Sequence, residues 1–192
     1  SGTIFSLKDF SLLVKPVRKE IPIYLAAINR KMVELTWDIA DGVIFYLRPQ
    51  DEMKKTIADM QKIRKIDINL QIITCIDYDY EKAINRAKKT LSFYIAVGRI
   101  YREFLHSNGY SKETDTIYDE YKKTGLENLE KFVPDKMVDD LCIAGTPDIA
   151  IKKLNTFHSI GIDMPIIQFN PIGDVKESFQ LLTNTFSGEL NE

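Results

Sequence analysis

The sequence predicts an α/β fold built on parallel strands, and three observations predict it. Short apolar segments rich in β-branched residues (Ile21 to Ala27, Val43 to Leu47, Leu70 to Ile76 and Pro165 to Asn170) alternate with amphipathic stretches of helical period. No tight hairpin joins two of these strands, so each connection must be a crossover, which is the parallel βαβ rhythm. The chain has 192 residues, 44% of them hydrophobic, enough to bury one core and to place residues 1–192 in a single domain.

The elements follow in order. Phe5 to Pro16 alternates apolar and polar residues and is expected as an irregular extended lead-in. Ile21 to Ala27 is almost wholly apolar, as a strand covered on both faces must be. Asn29 is a candidate N-cap for a helix whose stripe is Met32, Leu35, Thr36, Ile39 and Ala40, with Gly42 as its stop and Trp37 as an outward packing residue. After the strand from Val43, a second helix is capped near Asp51 and carries Met53, Ile57 and Met60 at helical intervals. Leu70 to Ile76 is the third strand. Glu81 to Leu105 has the pattern of one long amphipathic helix ending near Asn108-Gly109, with Gly98 inside it as a point of close backbone approach.

Residues of about 108–141 form an insertion, polar at first with one or two helices, then helical from Asp135 to Leu141. Thr146-Pro147-Asp148 supplies the N-cap, the N1 proline and the first-turn acid of a helix that faces the core with Ile151, Leu154 and Phe157 and stops at Gly161. Pro165 to Asn170 is the fourth strand and Val175 to Phe186 a closing helix, followed by a short polar tail. Ser1-Gly2, without an initiator Met, is read as an internal cleavage point or an artificial boundary.

Composition excludes several classes. Twenty-six basic against 28 acidic residues leave no clustered positive excess, so no nucleic-acid partner is expected. The longest apolar runs are strand length and no secretory profile opens the chain, so a soluble, cytoplasmic protein without a membrane partner is expected. Cys75 and Cys142 are far apart and lack a Cys-x-x-Cys spacing, which favours two small buried hydrophobes over a disulfide or a metal site. There is no Ser-His-Asp, His-Glu-x-x-His or Gly-x-x-x-x-Gly-Lys signature, and His106 and His158 lie on helices as structural residues. That scarcity fits an enzyme whose cofactor carries the chemistry, and equally a non-enzyme.

Two ordered motifs are more specific. Pro22-Ile23-Tyr24-Leu25-Ala26-Ala27 leads through a helix into Ala40-Asp41-Gly42-Val43-Ile44, and Ala144-Gly145-Thr146-Pro147 precedes a helix and a last strand some twenty residues on. In this order they resemble the luciferase-like monooxygenase family, barrel oxidoreductases that use FMN or coenzyme F420, with deazaflavin-dependent reductases such as methylenetetrahydromethanopterin reductase most similar. The resemblance implies a parallel (β/α) TIM-barrel-like fold of which this chain is the C-terminal half, its four strands matching the fifth to eighth of eight. It also implies hydride transfer or monooxygenation of a small-molecule substrate with F420 or FMN.

In a parallel barrel the working residues gather where strands end and helices begin. Four clusters meet that condition: Ala27 to Arg30, Tyr46 to Arg48, Asp77 to Asp79, and Asn170 to Gly173. The first is a helix N-terminus, whose free N–H groups and dipole suit a phosphate. The resemblance implies the same role, the cofactor phosphate lying on Ala27, Ile28, Asn29 and Arg30, although Ile28 departs from the Gly-Pro common at that turn. Arg48 would add a second guanidinium on this rim. Asp77 and Asp79 are expected to close their turn through their own side chains, and Asp41, at a helix C-terminus, needs a donor to offset it. No catalytic residue is assigned. The alternative is a non-catalytic α/β scaffold or binding module that keeps the fold.

Four parallel strands cut from a closed barrel leave two unpaired edges and one uncovered side. An N-terminal half, or a second copy of the chain in a homo-oligomer, is therefore the expected partner.

Overall fold

The computed structural model describes residues 3–11, 13–15 and 17–188. Its sheet consists of β1 (Tyr24–Ala26), β2 (Gly42–Tyr46), β3 (Asp67–Ile76), β4 (Cys142–Gly145) and β5 (Met164–Phe169), and every pairing is parallel. β1 pairs with β2 and β2 with β3. Gln71 has Tyr46 on one side and Ile166 on the other, whereas Ile73 has Cys142 and Gln168. β2 and β4 thus share one edge of β3 end to end, and β5 runs along the opposite edge.

Helices α1 (Arg30–Ile39), α2 (Gln50–Met60), α7 (Pro147–Ile160) and α8 (Val175–Ser187) cover the outer face. Side chains alternate across a strand, so Val43, Phe45, Ile68, Leu70 and Ile72 all point to this layer and are buried with Met53, Leu154 and Phe157. Burial of this layer favours folding at about 25 cal/mol per Å² of apolar surface removed from water. A second core lies between the C-terminal half of the inner face and the long connection after β3. There α3 (Tyr80–Val97), α4 (Arg99–Leu105), α5 (Ser111–Thr124) and α6 (Asp135–Leu141) bury Ile73, Cys75, Leu91, Ile95, Ile117 and Met137.

Several expectations are corrected. There are five strands, because Cys142–Gly145 pairs with the end of β3; four residues ahead of a turn are too short to announce a strand from sequence. The first strand is three residues long, and Ile21 and Ile23 before it are exposed, since no element lies over them. The stripe of α1 is Val33, Thr36 and Trp37; Leu35 and Ile39 face outward. Trp37 is buried rather than outward, stacked on Phe45 with its indole N–H donated to the Arg64 carbonyl. α1 ends at Ala40, and Gly42 opens β2.

Gly98 divides the expected long helix into α3 and α4. A Cβ there would stand 2.7 Å from the Tyr101 ring and 2.7 Å from the Tyr94 carbonyl oxygen. Thr146 precedes α7 in extended conformation but makes no side-chain cap bond, and the buried positions of α7 are Ala150, Leu154 and Phe157 rather than Ile151. Gly161 does stop that helix, at φ 106°. The described part of the lead-in forms bends without a strand; Pro16, Ser1-Gly2 and the last four residues of the tail lie outside the described residues.

Candidate functional site

The strands end together at one rim, and the turns there differ in how they use their backbone donors. After β1, Ala27 is buried and its N–H extends the ladder to the Ile44 carbonyl at 3.2 Å. Asn29 caps α1, its side chain accepting from the Met32 N–H at 3.0 Å. That bond leaves the first two N–H groups of the helix, those of Arg30 and Lys31, without an intrahelical acceptor, as helix geometry dictates. The Arg30 side chain is exposed and pairs with Glu34 at 2.7 Å.

Arg48 is almost wholly buried, at 3% exposure. Its Nη1 donates to both carboxylate oxygens of Glu52 at 2.6 and 2.5 Å, and its Nη2 to the Ile28 carbonyl at 2.5 Å. The guanidinium lies between the rings of Phe45 and Phe104, 4.4 and 4.6 Å from their centroids. Burial of the charge pulls its pKa below the usual arginine value, and Glu52 opposes that shift. The residue therefore ties the β1–α1 turn to α2 and is neither a plain surface charge nor a free cation. Leu47 before it adopts φ 48°, the left-handed region, which directs the chain into this arrangement.

Ile28, Arg30 and Arg48 line one cleft of about 590 Å³ together with Glu52, Lys55 and Phe104. Ala27 and Asn29 are not part of that lining; they hold the turn in shape from behind it.

The other rim turns are closed by their own side chains. The Asp77 carboxylate accepts from the Asp79 N–H at 2.8 Å, and Asp79 caps α3 through the N–H groups of Glu81 and Lys82. Asp174 caps α8 in the same way. Asn170 accepts from the Thr90 hydroxyl at 3.0 Å, and Arg86 donates to the Pro171 carbonyl, so the end of β5 is fastened to α3. Asp41 receives the Ile23 N–H at 2.8 Å, the donor its position requires. His158 Nδ1 lies 3.0 Å from the Ile162 carbonyl and His106 3.5 Å from Asp115, both on the helical periphery. Cys75 and Cys142 are free and buried, and burial pushes the Cys75 thiol up to about 12. Among the described residues no three His, Cys, Asp or Glu side chains converge on a metal position, and no helix is long and apolar enough to cross a membrane.

A second feature of the site escapes sequence reading. On the inner face, Gln71 of β3 donates to Gln168 Oε1 of β5 at 3.1 Å, and Gln168 in turn donates to the Tyr94 hydroxyl at 3.4 Å. Tyr46, the register neighbour of Gln71, stands edge-on to Tyr94 and Tyr101 at 5.3 and 5.4 Å. Its hydroxyl is buried beside Tyr94 and Gln168, and burial first, then the Tyr94 hydroxyl, raises its pKa. The only sequence signal was two glutamines at inward-facing strand positions, invisible before the register was known.

A family model described as luciferase-like monooxygenase matches residues 1–164. The chain belongs to the luciferase-like monooxygenase family. Among curated members, 5,10-methylenetetrahydromethanopterin reductase from Archaeoglobus fulgidus is 30% identical over 193 residues, covering 94% of this chain and 57% of the relative. The enzyme of the same name from Methanolobus tindarius is 28% identical over 82% of this chain and 51% of its own.

Of solved structures, the coenzyme F420-dependent tetrahydromethanopterin reductase from Methanopyrus kandleri superposes with a TM-score of 0.72 at 19% identity, over 88% of this chain and 51% of that one. An F420-dependent secondary alcohol dehydrogenase in complex with an F420–acetone adduct gives 0.62 at 17% identity, over 96% and 53%. At such identities these matches establish the fold. This luciferase-like chain spans about half the length of the curated relatives it matches, and its sheet is an arc of the TIM-barrel-like fold.

Proposed function

We propose that this chain forms the C-terminal half of the catalytic barrel of a coenzyme F420-dependent oxidoreductase and holds the cofactor's anionic tail at the turn after β1. One observation carries the position. Of the helices that follow strands, α2, α3, α7 and α8 each place an acid in the first turn (Asp51 and Glu52, Glu81, Asp148, Glu177), whereas α1 places none. An acid there would fill the dipole end and repel a phosphate, so α1 is the rim helix left fit for an anion. Ile28, Asn29 and Arg30 would hold the tail, with Ala27 and Arg48 fixing the turn beneath it.

The names of the relatives favour F420 over FMN and hydride transfer to a pterin-bound one-carbon unit over monooxygenation. When bound, the cofactor would supply the hydride-carrying ring. The chain's part is to orient the tail through the Arg30 and Lys31 N–H groups, to keep the turn rigid through Arg48, and to exclude water from the inner wall beneath α3. Among the described residues β1 pairs only with β2 and β5 only with β3, and these edges, with the exposed inner-face residues Ala26 and Met164, support completion by a further four-stranded half, whether from the same polypeptide or a second copy.

Fluorescence titration of the full-length protein with F420, FMN and riboflavin tests this reading. Arg30→Glu should weaken F420 and FMN by about tenfold and leave riboflavin, which lacks the phosphate, unchanged. Absence of F420 and FMN binding by the wild type would replace the enzyme with the scaffold reading.

A further inference from the structure

Three of the helices that follow strands are capped by the residue just before them: Asn29 caps α1, Asp79 caps α3 and Asp174 caps α8. α2 is different, because Pro49 has no side-chain acceptor to offer its first N–H groups. Its cap comes from the far side of the insertion. Asp140, on α6, accepts the Gln50 N–H on Oδ1 at 2.8 Å. The exchange is reciprocal, since Gln50 Nε2 donates to the carbonyls of Asp139 and Asp140 at 3.1 and 3.0 Å, which lie among the C=O groups that the end of α6 leaves without a helical donor.

Tyr110, at 5% exposure, donates its hydroxyl to the second Asp140 oxygen at 2.6 Å. A kink at Asn108 and Gly109, with Gly109 at φ 100°, separates this tyrosine from α4, whose Phe104 ring lies against the Arg48 guanidinium. The insertion therefore holds the β2–α2 turn at both Arg48 and Gln50. From there the contacts run on to the first strand. Glu52, in the first turn of α2, accepts from Arg48 Nη1, and Arg48 Nη2 donates to the Ile28 carbonyl in the β1–α1 turn.

We propose that Asp140 is a positioning residue for the anionic tail: by capping α2 it fixes Glu52 and, through Arg48, the Ile28 carbonyl, so that the insertion sets the shape of the turn that binds the anion. A buried guanidinium holds a turn only as firmly as its own carboxylate partner is held, and that partner sits on the helix end that Asp140 secures. The inference rests on the functional reading above and adds what keeps the β1–α1 turn in its binding conformation.

The test measures, for the full-length protein, the ratio of its affinities for F420 and for a deazariboflavin that has the same ring without the anionic tail. Asp140→Ala removes the cap and should lower that ratio about fivefold, whereas Asp140→Asn, whose carboxamide oxygen can still accept the Gln50 N–H, should restore it. Tyr110→Phe, which deletes only the hydroxyl that steadies Asp140, should lower the ratio about two- to threefold and serves if Asp140→Ala does not fold. A lowered thermal midpoint with an unchanged ratio in these variants would mean that the cap only fastens α6 to α2, and would overturn the proposal. Failure of Asp140→Asn to restore the ratio would overturn it as well. If Arg30→Glu weakens F420 while Asp140→Ala and Tyr110→Phe bind both probes as the wild type does, the functional reading survives and this coupling does not. Wild-type protein that binds neither F420 nor FMN overturns both.

Discussion

The outer face of the sheet carries Val43, Phe45, Ile68, Leu70 and Ile72 sealed beneath helices, whereas the inner face of the same strands carries Ile44, Gln71 and Ile166 half-buried and Met164 exposed. Both faces belong to one backbone and differ only in the parity of the residue. The outer face is covered by α1, α2, α7 and α8, while on the inner face α3 to α6 cover only the end that carries Ile73 and Cys75. The inner face keeps polar groups in places where aliphatic packing would be more stable, and leaves surface for something else to cover. Cover by this chain's own helices thus differs between alternate residues of the same strands.

The comparison can be broken most directly by truncation on each side. Phe45→Ala removes a fully buried ring stacked on Trp37 and lying against Arg48, and should cost about 3–5 kcal/mol in urea unfolding, whereas Ile44→Ala on the open face should cost under about 1. Equal losses would end the distinction. Next in size, Arg48→Met should cost about 2 kcal/mol, because Glu52 and the Ile28 carbonyl lose their partner while the apolar stem is kept. An isosteric change without loss would mean that the β1–α1 turn holds without its tie.

Gly98→Ala should cost about 1–2 kcal/mol by pressing on Tyr101 and the Tyr94 carbonyl, and should disturb the inner-face tyrosines more than the outer core, as judged by tyrosine fluorescence. The smallest effect at neutral pH concerns Cys75. Its thiol is raised to about 12 in the folded protein, so the unfolded chain loses that proton first as pH climbs. The contribution to stability is full below about pH 8.5, the unfolded value, and declines as pH rises towards about 12. Native Cys75 should stay unmodified by iodoacetamide at pH 8 and react once urea unfolds the chain.

Most of the outer layer was legible in the sequence, because β-branched runs and helical spacing report burial against neighbours of the same chain. Asn29, Asp79 and Gly161 were legible because capping chemistry is local. What failed to show depends on distant partners. Trp37 is buried only because Phe45 and the Arg64 carbonyl come to meet it, and β4 is a strand only because the end of β3 has a free edge beyond β2. Arg48 resembles a rim cation in sequence; its engagement by Ile28, twenty residues earlier, appears only in three dimensions. The Gln71–Gln168 bond joins residues 97 apart and left no local trace.

The two bare edges of the arc have a further consequence, since among the described residues β1 pairs only with β2 and β5 only with β3. Unlike ends of this kind dock head to tail. One such junction lengthens the arc, and two of them on a common axis seal a ring.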